Sequence, residues 1–430
     1  MPKNESHGAS RRGFLKQTAA GSTLAALGAG PLRAGVHTGA DETLKVGLVG
    51  CGGRGRGAAI NALSADKNAK LTAVGDAFMD RAKSGLAAIQ FEEAIADRVA
   101  VDEDHVFDGF DNYKKVIDSG VDVVLLATPP HFRPEHFAYA VDKDKHVFIE
   151  KPISTDMPGA EKVSQACETA AQKGLAVVSG LCWRYDLGVR ETMRRIADGA
   201  IGDIVAIESN YNTGTLWHRG DKPGWSRMEY QMRNWLYFTW LSGDIIAEQA
   251  IHSLDKTAWL LGDQSPAKAL GIGGRQQRTD PKYGNVYDHF TVFYEYPTGQ
   301  GVYFTCRQQD GCSTRVDETV RGTKGTAEIL AHRIQGPSGE WRYDGPKPSM
   351  YDNEHVEFFA SIRAGEPINN GHYMVNSTRI AHMGRMSAYS GKTLSWEEAI
   401  SDSQRLGPSE YRWGDAPEPT VAIPGVTHHV

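Results

Sequence analysis

The fold of this 430-residue chain turns on "LKVGLVGCGGRGRG", residues 44–57. Leu44 to Val49 is a short apolar run suited to a parallel strand buried on both faces. It runs directly into Gly50-Cys51-Gly52-Gly53-Arg54-Gly55, a G-x-G-x-x-G, and then into a helical stretch from Gly57 to Leu63. A lone G-x-G-x-x-G is a weak signal, but between a strand and a helix it has the context its chemistry needs. The glycines permit a tight turn and let backbone N–H groups approach a pyrophosphate at the helix N-terminus.

A second strand, Leu71 to Val74, ends at Gly75-Asp76. Asp76 stands about twenty residues past the loop, where a carboxylate accepts ribose hydroxyls. A 2′-phosphate would be repelled there, so NAD is expected as cofactor, and the nearby Arg81 leaves NADP open. The alternative is a glycine turn in some other α/β protein. Two further buried strands end in chemistry-bearing tripeptides. Asp122 to Ala127 leads to Thr128-Pro129-Pro130, and His146 to Ile149 leads to Glu150-Lys151-Pro152. Ligands of open α/β sheets bind beyond the carboxyl ends of the strands, so Thr128, Pro129, Glu150 and Lys151 are expected to line the cofactor crevice.

In this order and spacing, "GLVGCGGRG", "ATPP" and "HVFIEKP" resemble the Gfo/Idh/MocA oxidoreductases, and the resemblance extends over nearly all of the chain after its leader. It implies a Rossmann domain followed by an α+β domain with a large open, mostly antiparallel or mixed sheet. It also implies that Lys151 sits beside the nicotinamide and the substrate hydroxyl, and that the substrate is a sugar, a polyol or a related carbohydrate. Two positions depart from the family pattern. Arg133 stands where a histidine is common, and Asp144 where a glycine often precedes "KHV"; aspartate tolerates a left-handed helix end.

The second half reads as helices at Pro158–Lys173 and Gly188–Gly199. Strands follow at Ile204–Asn212, Phe290–Tyr296, Gly301–Arg307 and Thr314–Arg321, with one helix near 245–261. Strands outnumber helices, which fits a sheet with one covered face. On the predicted helix, Glu248, His252 and Asp255 fall at i, i+4 and i+7 and share one face. A polar triad on a helix otherwise filled by Ile245, Ile246, Ala250, Ile251 and Leu254 needs a reason. The family pattern places a carboxylate, a histidine and an aspartate at this spacing; here Glu248 replaces the usual aspartate and Ala250 the usual glycine. The expected roles follow. His252, held by Glu248 or Asp255, takes the hydroxyl proton, and Lys151 hydrogen-bonds the same oxygen. The bland reading is a satisfied core histidine. A Glu/His/Asp set can also hold a metal. A carbinol needs only a base and an oriented hydroxyl to give up hydride, and a nearby ammonium repels a cation, so no metal is expected. Arg184, Tyr185, Arg233, Asn234 and Trp235 are candidates for gripping a polyhydroxylated ring. Leu236, Phe238 and Trp240 are expected in the core.

Composition limits the alternatives. Hydrophobic content of 40%, charge of 23% and a net charge of −6 describe a globular chain with no electrostatic bias toward nucleic acid. After the leader no run is long and apolar enough to span a membrane. Five cysteines, at 51, 167, 182, 306 and 312, lack C-x-x-C spacing and argue against a disulfide framework or zinc knuckle. For Cys306 and Cys312 two buried, unpaired thiols are expected, the alternative being a pair at a strand end.

Ser10-Arg11-Arg12-Gly13-Phe14-Leu15-Lys16, followed by an Ala- and Gly-rich apolar stretch, matches a twin-arginine export signal. The bland reading is a basic amphipathic first helix. The expected organisation is a signal and linker over 1–40, a nucleotide-binding domain over 41–181, a substrate domain over 182–396 and an extended tail over 397–430. Such tails often wrap a neighbouring subunit, and a homo-oligomer is expected. Export of a folded protein away from the nicotinamide pool, to the periplasm, implies a cofactor loaded beforehand and recycled in each cycle. Two redox-neutral schemes follow: one substrate oxidised and a second reduced, or a glycoside oxidised transiently, cleaved by elimination and re-reduced. A non-catalytic carbohydrate-binding protein with structural NAD is the alternative from another class.

Overall fold

The computed structural model describes residues 42–427; the export-signal reading, and the last three residues of the tail, lie outside them. The first sheet is built from β1 (Leu44–Val49), β2 (Ala69–Gly75), β3 (Val106–Phe107), β4 (Val123–Leu126), β5 (His146–Ile149) and β6 (Val177–Ser179). All its strands are parallel, in the order β3-β2-β1-β4-β5-β6, the doubly wound arrangement that the glycine loop predicts.

Around it lie α1 (Gly53–Ala65), α2 (Met79–Gln90), α3 (Asn112–Asp118), α4 (Arg133–Asp142) and α5 (Met157–Lys173). Alternate strand residues feed separate cores on the two faces. Leu44, Val46, Leu48 and Leu125 join the core that includes Ala58 and Ala62 of α1. Val49, Val124, Leu126 and Ile149 join the other, with Phe137 of α4 and Val163 of α5. Asp144, just past α4, takes φ +58°, the left-handed conformation that a helix end needs and that aspartate tolerates.

The second sheet has nine strands: β7 (Ile204–Thr213), β8 (Lys268–Gly274), β9 (His289–Glu295), β10 (Gly301–Gln308), β11 (Arg315–Gly322), β12 (Thr326–Glu328), β13 (Arg333–Gly336), β14 (Gly339–Arg342) and β15 (Leu394–Ser395). Only β7 and β10 pair in parallel; the rest is antiparallel. The helices of this half are α6 (Leu187–Ala197), α7 (Arg227–Arg233), α8 (Thr239–Ser242), α9 (Asp244–Glu248), α10 (Ile251–Leu260), α11 (Met350–Ala364), α12 (Gly371–Ser390) and α13 (Trp396–Ile400). One sheet face, through Val292, Tyr294, Val302 and Phe304, packs on Ile246, Leu254 and Ile380 of α9, α10 and α12. The opposite face leaves Leu270, Ile272 and Tyr303 exposed.

The last helices return to the first layer. Phe358, Phe359 and Ile362 of α11 lie in the same core as Leu44 and Leu48, and Asn370 N–H donates to Val177 O at 2.9 Å. The tail differs from the expected extended arm in two ways. Its first residues form α13, fixed by a capping box between Ser395 and Glu398. Beyond Ile400 its described residues form no helix or strand, and they pack against their own chain. All five cysteines are free; Cys306 is buried as expected, and Cys312 is half-buried. Leu236, Phe238 and Trp240 are core residues.

Candidate active site

The glycine loop is shaped by close approach. Gly50 takes φ +97°, and a side chain there would meet the backbone of Ala127 at 2.6 Å. A Cβ at Gly55 would lie 1.8 Å from the Gly50 carbonyl, so α1 can start this close to β1 only with glycine at that position. Gly52, by contrast, faces open space, with nothing within 4 Å of an added Cβ. It is the N-cap of α1, which has no side-chain cap and no acidic residue in its first turn. Uncapped N–H groups opening on empty space suit an anion.

Asp76 closes β2 and is held across this loop: Cys51 N–H donates to it at 2.8 Å and Phe78 N–H at 3.2 Å. Burial raises its pKa, and these two backbone donors oppose the shift. The loop and Asp76 line a cavity together with Phe78, Arg81, Phe110, Thr128, Pro129, Phe132, Arg233 and Trp235. The apolar walls suit a cofactor, and the uncapped helix end fits a pyrophosphate. Sequence reading found the loop and Asp76. It missed the aromatic wall, because Phe78, Phe110 and Phe132 come from three separate loops.

A second cavity adjoins the first, and both include Ala127 and Trp235. Its lining brings together Arg54, Arg133, Glu150, Lys151, Glu248, His252 and Tyr351. Lys151, Glu248 and His252 come from β5 and the α9–α10 segment, 97 or more residues apart, and they meet here. The predicted single helix is broken: α9 ends at Glu248, α10 starts at Ile251, and Ala250 N–H donates to Ile245 O at 3.0 Å, a five-residue closure. The break leaves the Glu248 carbonyl to accept from Lys151 Nζ, whose ammonium also lies 3.5 Å from Glu248 Oε1.

His252 is held neutral. Burial pulls its pKa well down, and Lys151, Lys256 and Arg54 push it the same way. Its buried Nδ1 has no hydrogen-bond partner among the described residues. Neither proposed holder, Glu248 or Asp255, reaches it.

Arg54 does more than shape the loop. Its Nε pairs with Glu150, its Nη2 donates to Glu354 at 2.6 Å, and the guanidinium lies 4.9 Å over the Tyr351 ring. Burial alone would raise Glu150, but Arg54, Lys151 and Arg133 hold it below the usual range; Glu354 is pushed well above by burial. Two carboxyl groups therefore share this arginine. Arg133 is buried, with Nε donating to Thr128 O at 2.8 Å and Nη1 to Pro152 O at 2.6 Å, so it binds the two strand-end loops together. Glu354 and Tyr351, from α11, were not legible as site residues.

Four sequence candidates lie elsewhere. Asp255 faces away from the cavity and accepts from Arg184 Nε and Nη2 at 2.9–3.1 Å and from Ser377 at 2.9 Å. Arg184 also pairs with Asp263 and stacks 3.9 Å over Tyr373, so it is an internal brace with no free fork for a sugar. The Tyr185 hydroxyl donates to Asn370 at 2.9 Å, and the buried Asn234 ties Arg219 and Gly220. Arg233 lines the nucleotide cavity and pairs with Asp80 at 3.0 Å, leaving Trp235 as the one grip candidate at the second cavity. Among the described residues no group of three or more His, Cys, Asp or Glu side chains is arranged to hold a metal ion.

Comparison with known proteins agrees with this geometry. Residues 44–180 match the family model described as "Oxidoreductase family, NAD-binding Rossmann fold", and residues 189–328 match the GFO/IDH/MocA C-terminal domain. The chain is 29% identical over 301 residues to the 2,7-anhydro-N-acetylneuraminate hydratase of Escherichia coli (strain K12), covering 69% of this chain and 72% of that protein. It is 23% identical over 299 residues to the scyllo-inositol 2-dehydrogenase (NAD(+)) of Bacillus subtilis (strain 168), covering 69% and 76%. In fold it is similar to the aldose-aldose oxidoreductase of Caulobacter crescentus solved with glycerol, with a TM-score of 0.64 at 19% identity over 82% of this chain and 100% of that one. The glycine loop, the paired sheets and both family matches lead to one conclusion: this chain belongs to the Gfo/Idh/MocA family and is an NAD-dependent oxidoreductase.

Proposed function

We propose that the enzyme acts on a secondary hydroxyl of a sugar, polyol or glycoside and recycles a nucleotide that it keeps bound. The observation that carries this reading is the meeting of Lys151 and His252 in a cavity contiguous with the nucleotide pocket. Bound NAD supplies the hydride acceptor. The neutral His252 imidazole takes the hydroxyl proton as the carbinol loses hydride. The Lys151 ammonium, fixed on the Glu248 carbonyl, donates to the same oxygen and stabilises its developing charge. Trp235, at the junction of the cavities, offers an apolar face to a sugar ring.

The substrate class is supported by the relatives, whose names are those of enzymes acting on sugar and inositol derivatives. Recycling is supported by the hydratase, since adding water is a net redox-neutral reaction. The twin-arginine segment Ser10 to Lys16 belongs to the same proposal: a folded, exported enzyme has no nicotinamide pool to draw on. Replacing Arg11 and Arg12 by lysine is expected to keep the protein inside the cell on fractionation. A homo-oligomer is proposed too, supported by Leu270, Ile272 and Tyr303 on the open sheet face, and light scattering of the purified protein tests it.

The central test is to denature the purified enzyme, identify the released nucleotide and its oxidation state, and offer sugars with no added NAD. Turnover needing two sugars supports transfer between substrates, and turnover of a lone aryl glycoside supports transient oxidation with elimination. If only added NAD sustains turnover, the recycling reading is overturned.

A further inference from the structure

The C-terminal tail has no place in the chemistry above, yet it is tied to the rest of the chain at both ends of a short segment. Leu406 N–H donates to Asp156 Oδ2 at 2.9 Å at one end. At the other, Met228 N–H donates to Gly414 O at 3.0 Å and Gln231 Nε2 to Pro417 O at 2.7 Å, both from α7. Between these anchors the tail carries two aromatic residues. The Tyr411 ring stacks 5.7 Å from Phe110 and lies 5.3 Å from Phe132, and its hydroxyl is 2.8 Å from His131 Nε2. The Trp413 ring lies 4.6 Å from Phe110 and 5.3 Å from Phe78.

Phe78, Phe110 and Phe132 are the aromatic wall of the nucleotide cavity, each on a different loop beyond the sheet. Neither tail ring lines the cavity; both stand behind the wall and bridge its three members. Three loops that could otherwise move separately are thereby coupled to one segment. A wall whose loops are coupled yields as one unit, so the segment that couples it is placed to slow the departure of a dinucleotide packed against that wall.

We infer that Leu406 to Pro417 form a strap that sets the rate of dinucleotide release, with Tyr411 and Trp413 as positioning residues for Phe78, Phe110 and Phe132. The inference rests on dinucleotide binding at the glycine loop and is independent of the substrate and of recycling, so either reading can fail without the other.

The test uses the full chain carrying Tyr411→Ala with Trp413→Ala, loaded with NADH and mixed with excess NAD while nucleotide fluorescence is followed. Release is expected to be at least tenfold faster than in the parent. The melting temperature without nucleotide should stay within a few degrees, and Trp413→Phe alone should retain slow release. Release at the parent rate in the double variant overturns the strap. Should that variant not fold, hydrogen exchange of the parent decides: amides of 406–417 are expected to exchange at least tenfold more slowly with NAD bound, and equal exchange with and without NAD overturns the inference.

Discussion

The ammonium of Lys151 rests on the backbone carbonyl of Glu248, an acceptor exposed by the break between α9 and α10. The lysine is thus positioned by main chain as well as by the Glu248 carboxylate 3.5 Å away. Replacing Lys151 or His252 by alanine is expected to lower turnover by at least ~10²-fold. Nucleotide should remain bound, since neither residue lines the glycine-loop cavity. Single-turnover kinetics together with nucleotide released on denaturation check this, and unchanged rates in both variants would remove the site assignment.

Glu248 and Asp255 should behave oppositely, although the sequence presents them as one set. Asp255→Ala leaves the Arg184 guanidinium inside the protein with only part of its pairing, and is expected to cost about 3–5 kcal/mol of stability. Glu248→Gln, which keeps the carbonyl that holds Lys151 and a side-chain acceptor beside it, should cost clearly less stability than Asp255→Ala. Urea unfolding of the two variants separates them, and a stable Asp255→Ala protein would contradict the brace.

Two glycines of one loop have separable roles. Gly52→Ala adds a methyl group to open space, so the melting temperature should hold while NAD binding weakens at least tenfold. In Gly55→Ala the same group collides with the Gly50 carbonyl, and the protein should lose stability before binding is even measured. Calorimetric titration alongside thermal melting tests the contrast; wild-type affinity in Gly52→Ala would place the pyrophosphate elsewhere.

Acid should destabilise the fold through buried histidines. Burial pushes His131, His136 and His355 down to about 3, against about 6.5 when unfolded. As pH falls below the unfolded value, the unfolded chain takes up protons that the native one refuses. The stability these neutral rings carry is complete above that value and is lost progressively toward pH 3. Glu354, raised by burial, acts in the opposite sense and offsets part of the loss. Each net proton is worth about 1.4 kcal/mol per pH unit. The urea midpoint should therefore fall between pH 7 and pH 5, and a flat profile would be inconsistent with neutral buried rings.

What the sequence made legible was local or strictly patterned. Leu44 to Val49, Val123 to Leu126 and His146 to Ile149 read as strands because parallel strands covered on both faces are unbroken apolar runs. The loop and Asp76 followed from spacing. The break at Gln249 and Ala250 did not, since neither residue is a helix breaker and the Gln249 side chain is engaged by Gln308, 59 residues away, at 2.7 Å. Arg184 looked available for substrate because its partners Asp255 and Asp263 lie 71 and 79 residues further on. Short strands such as β12 to β14 carry too few residues for alternation to register.

The return of α11 to the first sheet bears on how the molecule is made. Phe358, Phe359 and Ile362 close the same core as Leu44, Val46 and Leu48, so the nucleotide-binding layer stays open at one side until most of the chain has left the ribosome. Arg54 of the glycine loop likewise meets Glu354, 300 residues further along the chain. The core beneath the glycine loop is therefore complete only once the chain has been made as far as Ile362.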